Sequence, residues 1–428
     1  MSETPVSIAR VTFDPSDPAF FQSPYAAYDQ MRQAGRLVHW TNYGFAATAH
    51  YDLVSALLRD RRFGRDISHV INPAELGWPE PADHVKPFYA FEKGSMLERE
   101  PPVHTRLRGL VNRAFVSRAI DQLQPRIERL CEDLIDGFIE AGEADLLAQY
   151  ATPIPVIVIA ELLGLPPDDA PLLLDWSHRM VAMYQFNRSR AVEDSAVAAT
   201  RDFSDYVRQF IAERRRRPAD DLISSLIAAR DSGDRLNDDE LVTTIILLMN
   251  AGHEATVHAI GNGLKILLEQ RQSEPAHWLR LLDVMATEEG AAAIAEETLR
   301  LDPPLHLFTR YALEPCDIEG QSFRIGDKVG LLLGAANRDP AIYARPEEFD
   351  PDRFLTRPAP PQPMSFGAGI HFCVGAPLAR LELRLALPAL FRRLPHLRLS
   401  TQPVFGDTFH FHGLTALPCK WTGSRDGD

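Results

Sequence analysis

Cysteine is scarce in this chain, with four in 428 residues: Cys131, Cys316, Cys373 and Cys419. No CxxC or CxxCH spacing joins them, so neither a zinc ribbon nor a prosthetic group attached through a CxxCH motif is indicated. A disulfide framework is not expected at this size, so a reducing, cytoplasmic setting fits best. Long apolar runs are missing too. The opening "MSETPVSIARVTFDPSDPAF" has acids and prolines and no apolar segment, so it does not read as a signal peptide. The most apolar long stretch, "LVTTIILLMNAGHEATVHAIGNGLKILL" (241–268), holds Asn, His, Glu and Lys in its middle. That is too polar for a membrane span and reads as a long helix buried in a large globule. Positive charge is in deficit, with a net charge of -14, so nucleic acid and anionic membranes are not expected partners. There is no solenoid-type repeat and no GxGxxG, so no flavin or dinucleotide domain is expected.

What is present is mostly helical pattern. "YDLVSALLRD", "AIDQLQPRIERLCEDLIDGFIEAG" and "DFSDYVRQFIAERRRRP" carry apolar residues at helical spacing, the last two stopped by Gly142 and Pro218. "RLNDDELV" opens the long helix with Asn237 and Glu240 at capping-box spacing. Short strand-like runs, "RLVHW" and "GFAATA", and the hairpin-like "CDIEGQSFRIGDKVGLLLGAANRD" place a minor β-part near 36–50 and 311–335. "ARPEEFDPDRFL" reads as irregular, and "APLARLELRLALPALFRRLP" as a final amphipathic helix. The expected fold is mainly α with a minor β-part, in one domain over 1–428.

The loop "FGAGIHFCVG", Phe366–Gly375, sets one of the rare cysteines among glycines, just before a helix start at Pro377. Backbone N–H groups and the helix dipole favour a thiolate there. A nucleophile, a redox thiol and a metal ligand are all open readings, beside a plain buried cysteine. The pattern F-x-x-G-x-[HR]-x-C-x-G should arise by chance on the order of once in 10,000 such chains. It resembles the haem-binding loop of the cytochrome P-450 family. The resemblance implies that Cys373 is the proximal thiolate ligand of haem iron, pushing electron density that favours O–O cleavage. It also implies that Phe366 packs near the sulfur, that Gly367 lets the backbone approach the ring, and that His371 reaches a propionate.

The likeness continues over nearly the whole chain. "ETLR" puts Glu297 and Arg300 three apart on one helix face, 76 residues before the cysteine. In the family this pair joins an arginine of the irregular segment, here Arg353, in a structural role. "EPPVHTRLRGLV" resembles the first propionate-binding helix, with His104 and Arg108 on one face, and Arg310 fits the second propionate contact. "AGHEAT" resembles the oxygen-binding groove. It implies that Ala251 and Gly252 flank the haem, Gly252 where the helix must loosen, and that Glu254 is the proton-delivering acid. The family's usual threonine is Ala255 here. Thr256 follows about 100° further round the helix and does not replace its hydroxyl directly. A substrate hydroxyl or an ordered water is expected to take that place. His253, His258 and His306 have poor ligand spacing and read as core or pocket histidines.

The resemblance further implies a central helix over a b-type haem and a distal cavity for a largely apolar small substrate. Phe88, Phe91, Met183, Phe186, Phe308 and Phe411 would line it, with Asn250 and His306 orienting a polar group. The basic stretch 103–120, with Arg106, Arg113 and Arg118, would meet an acidic ferredoxin that is fed by a ferredoxin reductase. The implied activity is monooxygenation with dioxygen and two electrons, either hydroxylation or epoxidation. A peroxide-driven peroxygenase, a haem-thiolate dehydratase or isomerase, and a non-catalytic haem sensor are the alternatives.

Overall fold

Asn237 and Glu240 cap each other, as their spacing suggests. Glu240 N donates to Asn237 Oδ1 at 2.9 Å, and Asn237 N donates to Glu240 Oε2 at 3.0 Å. They open a single helix, Asp238–Ser273, the longest among the described residues. The computed structural model describes residues 8–115, 120, 122–185, 188–229, 235–409 and 411–422. Its architecture is mainly helical with a small sheet part. The chain divides into two compact units. One takes residues 1–64, 124–152 and 255–428, and the other 65–123 and 153–254.

The first unit contains every strand among the described residues: β1 (Ala9–Val11), β2 (Val38–Trp40), β3 (Phe45–Thr48), β4 (Phe63–Gly64), β5 (Glu143–Asp145), β6 (Leu307–Ala312), β7 (Cys316–Ile318), β8 (Gln321–Phe323), β9 (Lys328–Leu332), β10 (Arg398–Leu399) and β11 (Pro418–Lys420). Six form one sheet in the order β1-β2-β3-β9-β6-β4. β7 and β8 pair as a hairpin whose turn residues Glu319 and Gly320 both have positive φ, the twist a tight hairpin needs. The hairpin reading stops short further on. "GLLLGAA" leaves β9 at Leu332 and winds into a one-turn helix, Leu333–Ala336, all four residues buried. Gly334 is required there, because a Cβ would come within 2.8 Å of the His306 ring.

Three helices carry the core beside the sheet: Gln124–Phe138, Glu288–Leu301 and Ala376–Arg393. Ala376–Arg393 packs against both of the others. Arg393 also reaches Glu132 and Asp136 of the first of them. The expected glutamate–arginine pair lies at the centre, and neither side chain is exposed. All five guanidinium donors of Arg300 are used. Nε and Nη2 bond Glu297 at 2.7 and 2.8 Å, and the rest reach the carbonyls of Asn337, Pro346 and Glu348. Arg353 Nε joins Glu297 Oε1 at 3.0 Å, as the resemblance implied. The irregular stretch around 345–355 is thereby held by backbone acceptors rather than by regular structure.

The second unit is helical throughout its described regular structure apart from short 3₁₀ turns. Its larger members are Val103–Ala114, Pro153–Leu163, Ala170–Val181 and Arg190–Arg216, with the long helix entering as far as Glu254. Trp176 stacks on Phe203 with ring centroids 5.2 Å apart, joining two of these helices. Arg190–Arg216 begins at a Ser189 cap and ends before Pro218. Among the described residues, no helix is long and apolar enough to cross a membrane.

Candidate functional site

In the first unit, the loop around Cys373 is shaped by short local bonds. Gly367 and Gly369 both take positive φ, at 67° and 72°. A side chain at Gly369 would also press its Cβ to 2.3 Å from the Leu58 carbonyl. With the loop folded this way, Cys373 N donates to Phe366 O at 3.1 Å. Gly375 then caps the helix Ala376–Arg393, so the half-buried Cys373 stands just before a helix amino end. That position favours an anionic sulfur. The other three cysteines stand in the opposite environment. Burial pushes the Cys131 and Cys419 thiols up to about 12, and raises that of Cys316 as well. Reactivity in this chain therefore concentrates at Cys373.

Phe366 lies under the Arg380 guanidinium, 4.5 Å from ring centroid to carbon, and edge-on to Phe372. Gly367 faces Phe308, which a Cβ would approach to 3.2 Å. Arg310 is buried, lies 5.9 Å over the Phe308 ring and donates to Thr309 O. The first unit thus brings Phe366, Gly367, Phe308 and Arg310 into one neighbourhood, with Cys373 tied to it through the Phe366 carbonyl. These groups fit a haem. A soft thiolate donor sits at a helix start, glycines keep side chains from the loop's surface, and a buried guanidinium suits a carboxylate.

His306, read as a core or pocket histidine, lies fully buried in a polar cluster. Its Nδ1 is 2.8 Å from Tyr28 Oη, and Asp302 Oδ1 lies 3.7 Å from its Nε2. Asp302 also accepts from Tyr25 and His412. Burial and the nearby His412 push His306 down to about 4, against the pull of Asp302. Burial works against Asp302, yet His412 and His306 hold its carboxyl well below the usual range. Phe411 lies 6.0 Å from the His258 ring. Ala255 is half-buried and Thr256 buried on the long helix.

The second unit holds the remaining expected residues. His104 is buried on Val103–Ala114, and half-buried Arg108 donates from Nε to Asn112 at 3.1 Å. Arg106 is bound to Glu240, and Arg113 is exposed. Arg118 and Phe186 lie outside the described residues. Phe88 is buried edge-on to Tyr89. Arg188 links Tyr89 Oη to the carbonyl of buried Met183, each at 3.1 Å. Asn250 Nδ2 lies 3.8 Å from Met180 Sδ, and Phe91 is half-buried.

Helical structure continues without a break through "AGHEAT", so the loosening expected at Gly252 is not seen. Packing accounts for the glycine instead, since a Cβ there would come 2.8 Å from Ile159 Cγ1. Ala251 is exposed at that turn. Glu254 is almost buried, and its Oε2 lies 3.5 Å from His178 Nε2 and 3.4 Å from His253 Nε2. Sequence spacing did not reveal His178, which comes from the helix Ala170–Val181.

Comparison with known proteins agrees with this geometry. The family described as Cytochrome P-450 matches residues 174–274 and 291–412. The polyketide biosynthesis cytochrome P-450 PksS of Bacillus subtilis (strain 168) is 33% identical over 419 residues, covering 96% of this chain and 98% of its own. The cytochrome P-450 monooxygenase PikC of Streptomyces venezuelae is 35% identical, covering 95% of this chain and 93% of its own. The crystal structure of P450BioI in complex with hexadec-9Z-enoic acid ligated acyl carrier protein superposes with a TM-score of 0.85 at 31% identity, covering 96% of this chain and 100% of that one.

Proposed function

Since the chain belongs to the cytochrome P-450 family and is a haem-thiolate monooxygenase, we propose that Cys373 is the proximal ligand of a non-covalent haem b and that the enzyme oxidises a small, largely apolar molecule of secondary metabolism. The observation that carries this is the Cys373 loop, glycine-shaped and set at a helix amino end beside buried Arg310. When bound, haem supplies dioxygen activation and the transfer of one oxygen atom to a carbon of the substrate.

The protein's own residues bind and orient. Arg310 and His371, with His104 and Arg108, take the two propionates through charge-assisted bonds. Phe366 and Gly367 shape the surface beside the sulfur. Glu254 holds and passes a proton toward the oxygen site, flanked by Ala251, Gly252 and Thr256. Ala255 offers no hydroxyl, so a polar group of the substrate, or water it orders, supplies that hydrogen bond. Phe88, Phe91, Met183, Phe308 and Phe411 give the substrate an apolar surface, with Asn250 orienting its polar end. The names of the relatives, which refer to polyketide biosynthesis and to an acyl-carrier-bound fatty acid, are in keeping with an extended apolar substrate.

Electrons come from a cytoplasmic ferredoxin and its reductase. Arg113 is exposed on a basic helix in a chain of net charge -14, which suits an acidic donor. Reconstitution with ferredoxin, reductase and dioxygen tests the reading. Substrate-dependent product should form, its rate should fall as ionic strength rises, and Arg113→Glu should slow the first electron transfer without changing substrate binding. Turnover with peroxide alone, and none with the reductase chain, would replace this reading with a peroxygenase.

A further inference from the structure

Glu254 is flanked by two histidines, His178 and His253, to which the reading above gives no role. One ring nitrogen of each histidine and one carboxylate oxygen all lie within 4.8 Å of one another. His253 is fully buried, and its Nδ1 lies 2.8 Å from the Met249 carbonyl. A carbonyl can only accept, so Nδ1 carries a proton, and in the neutral ring Nε2 presents a lone pair. That Nε2 has no hydrogen-bond partner, and it faces Glu254 Oε2 at 3.4 Å. With the ring neutral, this nitrogen and the carboxylate oxygen present two lone pairs to one point, which a metal cation can join. His178 approaches the same oxygen from another helix at 3.5 Å, with its side chain 55% exposed.

These spacings suit a metal. With Zn–N and Zn–O bonds of about 2.0–2.2 Å, the edge between two tetrahedral ligands is about 3.3–3.5 Å. The His253 tautomer is the one a metal needs, with its outer ring nitrogen fixed by a backbone carbonyl. The exposed His178 gives an entry path, and three protein ligands leave a position for water. We propose that His178, His253 and Glu254 bind one divalent transition-metal ion of the zinc class. A metal held there occupies the Glu254 carboxylate. If Glu254 delivers protons as read above, zinc then acts as a reversible brake on turnover.

The test uses the haem-loaded full chain and zinc alone. In equilibrium dialysis against zinc chloride, with bound metal counted by mass spectrometry, the wild type should hold one tight zinc per chain. His178→Ala and Glu254→Gln should each bind that zinc more weakly by more than about tenfold. His178 is largely exposed, so its variant should keep its haem and its reduced carbon monoxide spectrum, which checks the fold independently. Because the chain has 14 histidines, the difference between wild type and variant decides rather than stoichiometry alone. Equal zinc affinity in wild type and His178→Ala, or no tight zinc in the wild type, overturns the site. Zinc should also lower product formed per reduced cofactor in the wild type and not in His178→Ala. Tight, His178-dependent zinc without that loss upholds the site and instead removes the proton role from Glu254.

Discussion

Glu297 accepts from Arg300, from Arg353 and from the backbone N–H of Asp350, and the Glu297 and Arg300 side chains are not exposed to water. Removing it leaves a buried guanidinium unpaired, a cost of about 3–5 kcal/mol. Glu297→Ala should therefore give haem-poor or aggregating protein, measured by haem content and denaturant unfolding. Well-folded, haem-replete variant with only its turnover lost would contradict a structural role. The sequence made this pair and its Arg353 partner legible, because spacing on one helix and a chain-wide resemblance both point to them. It could not reveal the three carbonyls that complete Arg300, or Asn337, which binds Ser365 and the Met364 N–H. Those partners are backbone groups or distant residues with no spacing signal. His306 shows the same limit. It read as a core or pocket histidine, and its partners Tyr28, Asp302 and His412, which come from three separate parts of the chain, could not be read with it.

The long helix shows how much of an element can be read ahead. Its start was legible from the Asn237 and Glu240 spacing, since a capping box is a local signal. Its glycine was legible as special, but the reason was not. Gly252 admits Ile159, a neighbour brought by tertiary packing, and the helix stays regular there. Likewise Leu333–Ala336 read as strand from its apolar residues, and burial on every side lets it wind into a turn of helix instead. Ala255 on this helix gives a test of the substrate-assisted proton route. With an analogue lacking the substrate's polar group, the wild type should release mostly hydrogen peroxide, and Ala255→Thr should partly restore coupling. A placed hydrogen bond of this kind contributes about 2–4 kcal/mol to lowering a barrier. Equal coupling with substrate and analogue, unchanged by Ala255→Thr, would exclude the route.

At the scale of the whole molecule, acid stability and the haem both report on the fold. His306 falls from its usual value of 6.5 to about 4 because burial disfavours its charged form. The folded protein thus prefers the neutral ring, and the unfolded chain takes up the proton first. Stability is fully present above pH 6.5 and is lost as pH falls from there toward 4, by about 3 kcal/mol at most from this group. Denaturant midpoints across that window should drop in the wild type and drop less in His306→Gln; parallel profiles would show that His306 is not the sensor. The central claim is that one of four cysteines holds the haem iron. Reduced wild-type protein exposed to carbon monoxide should show the red-shifted Soret band of a thiolate-bound haem, and Cys373→Ser should lose it while Cys131→Ser, Cys316→Ser and Cys419→Ser keep it. Survival of that band in Cys373→Ser, or its absence from haem-loaded wild type, would contradict the account.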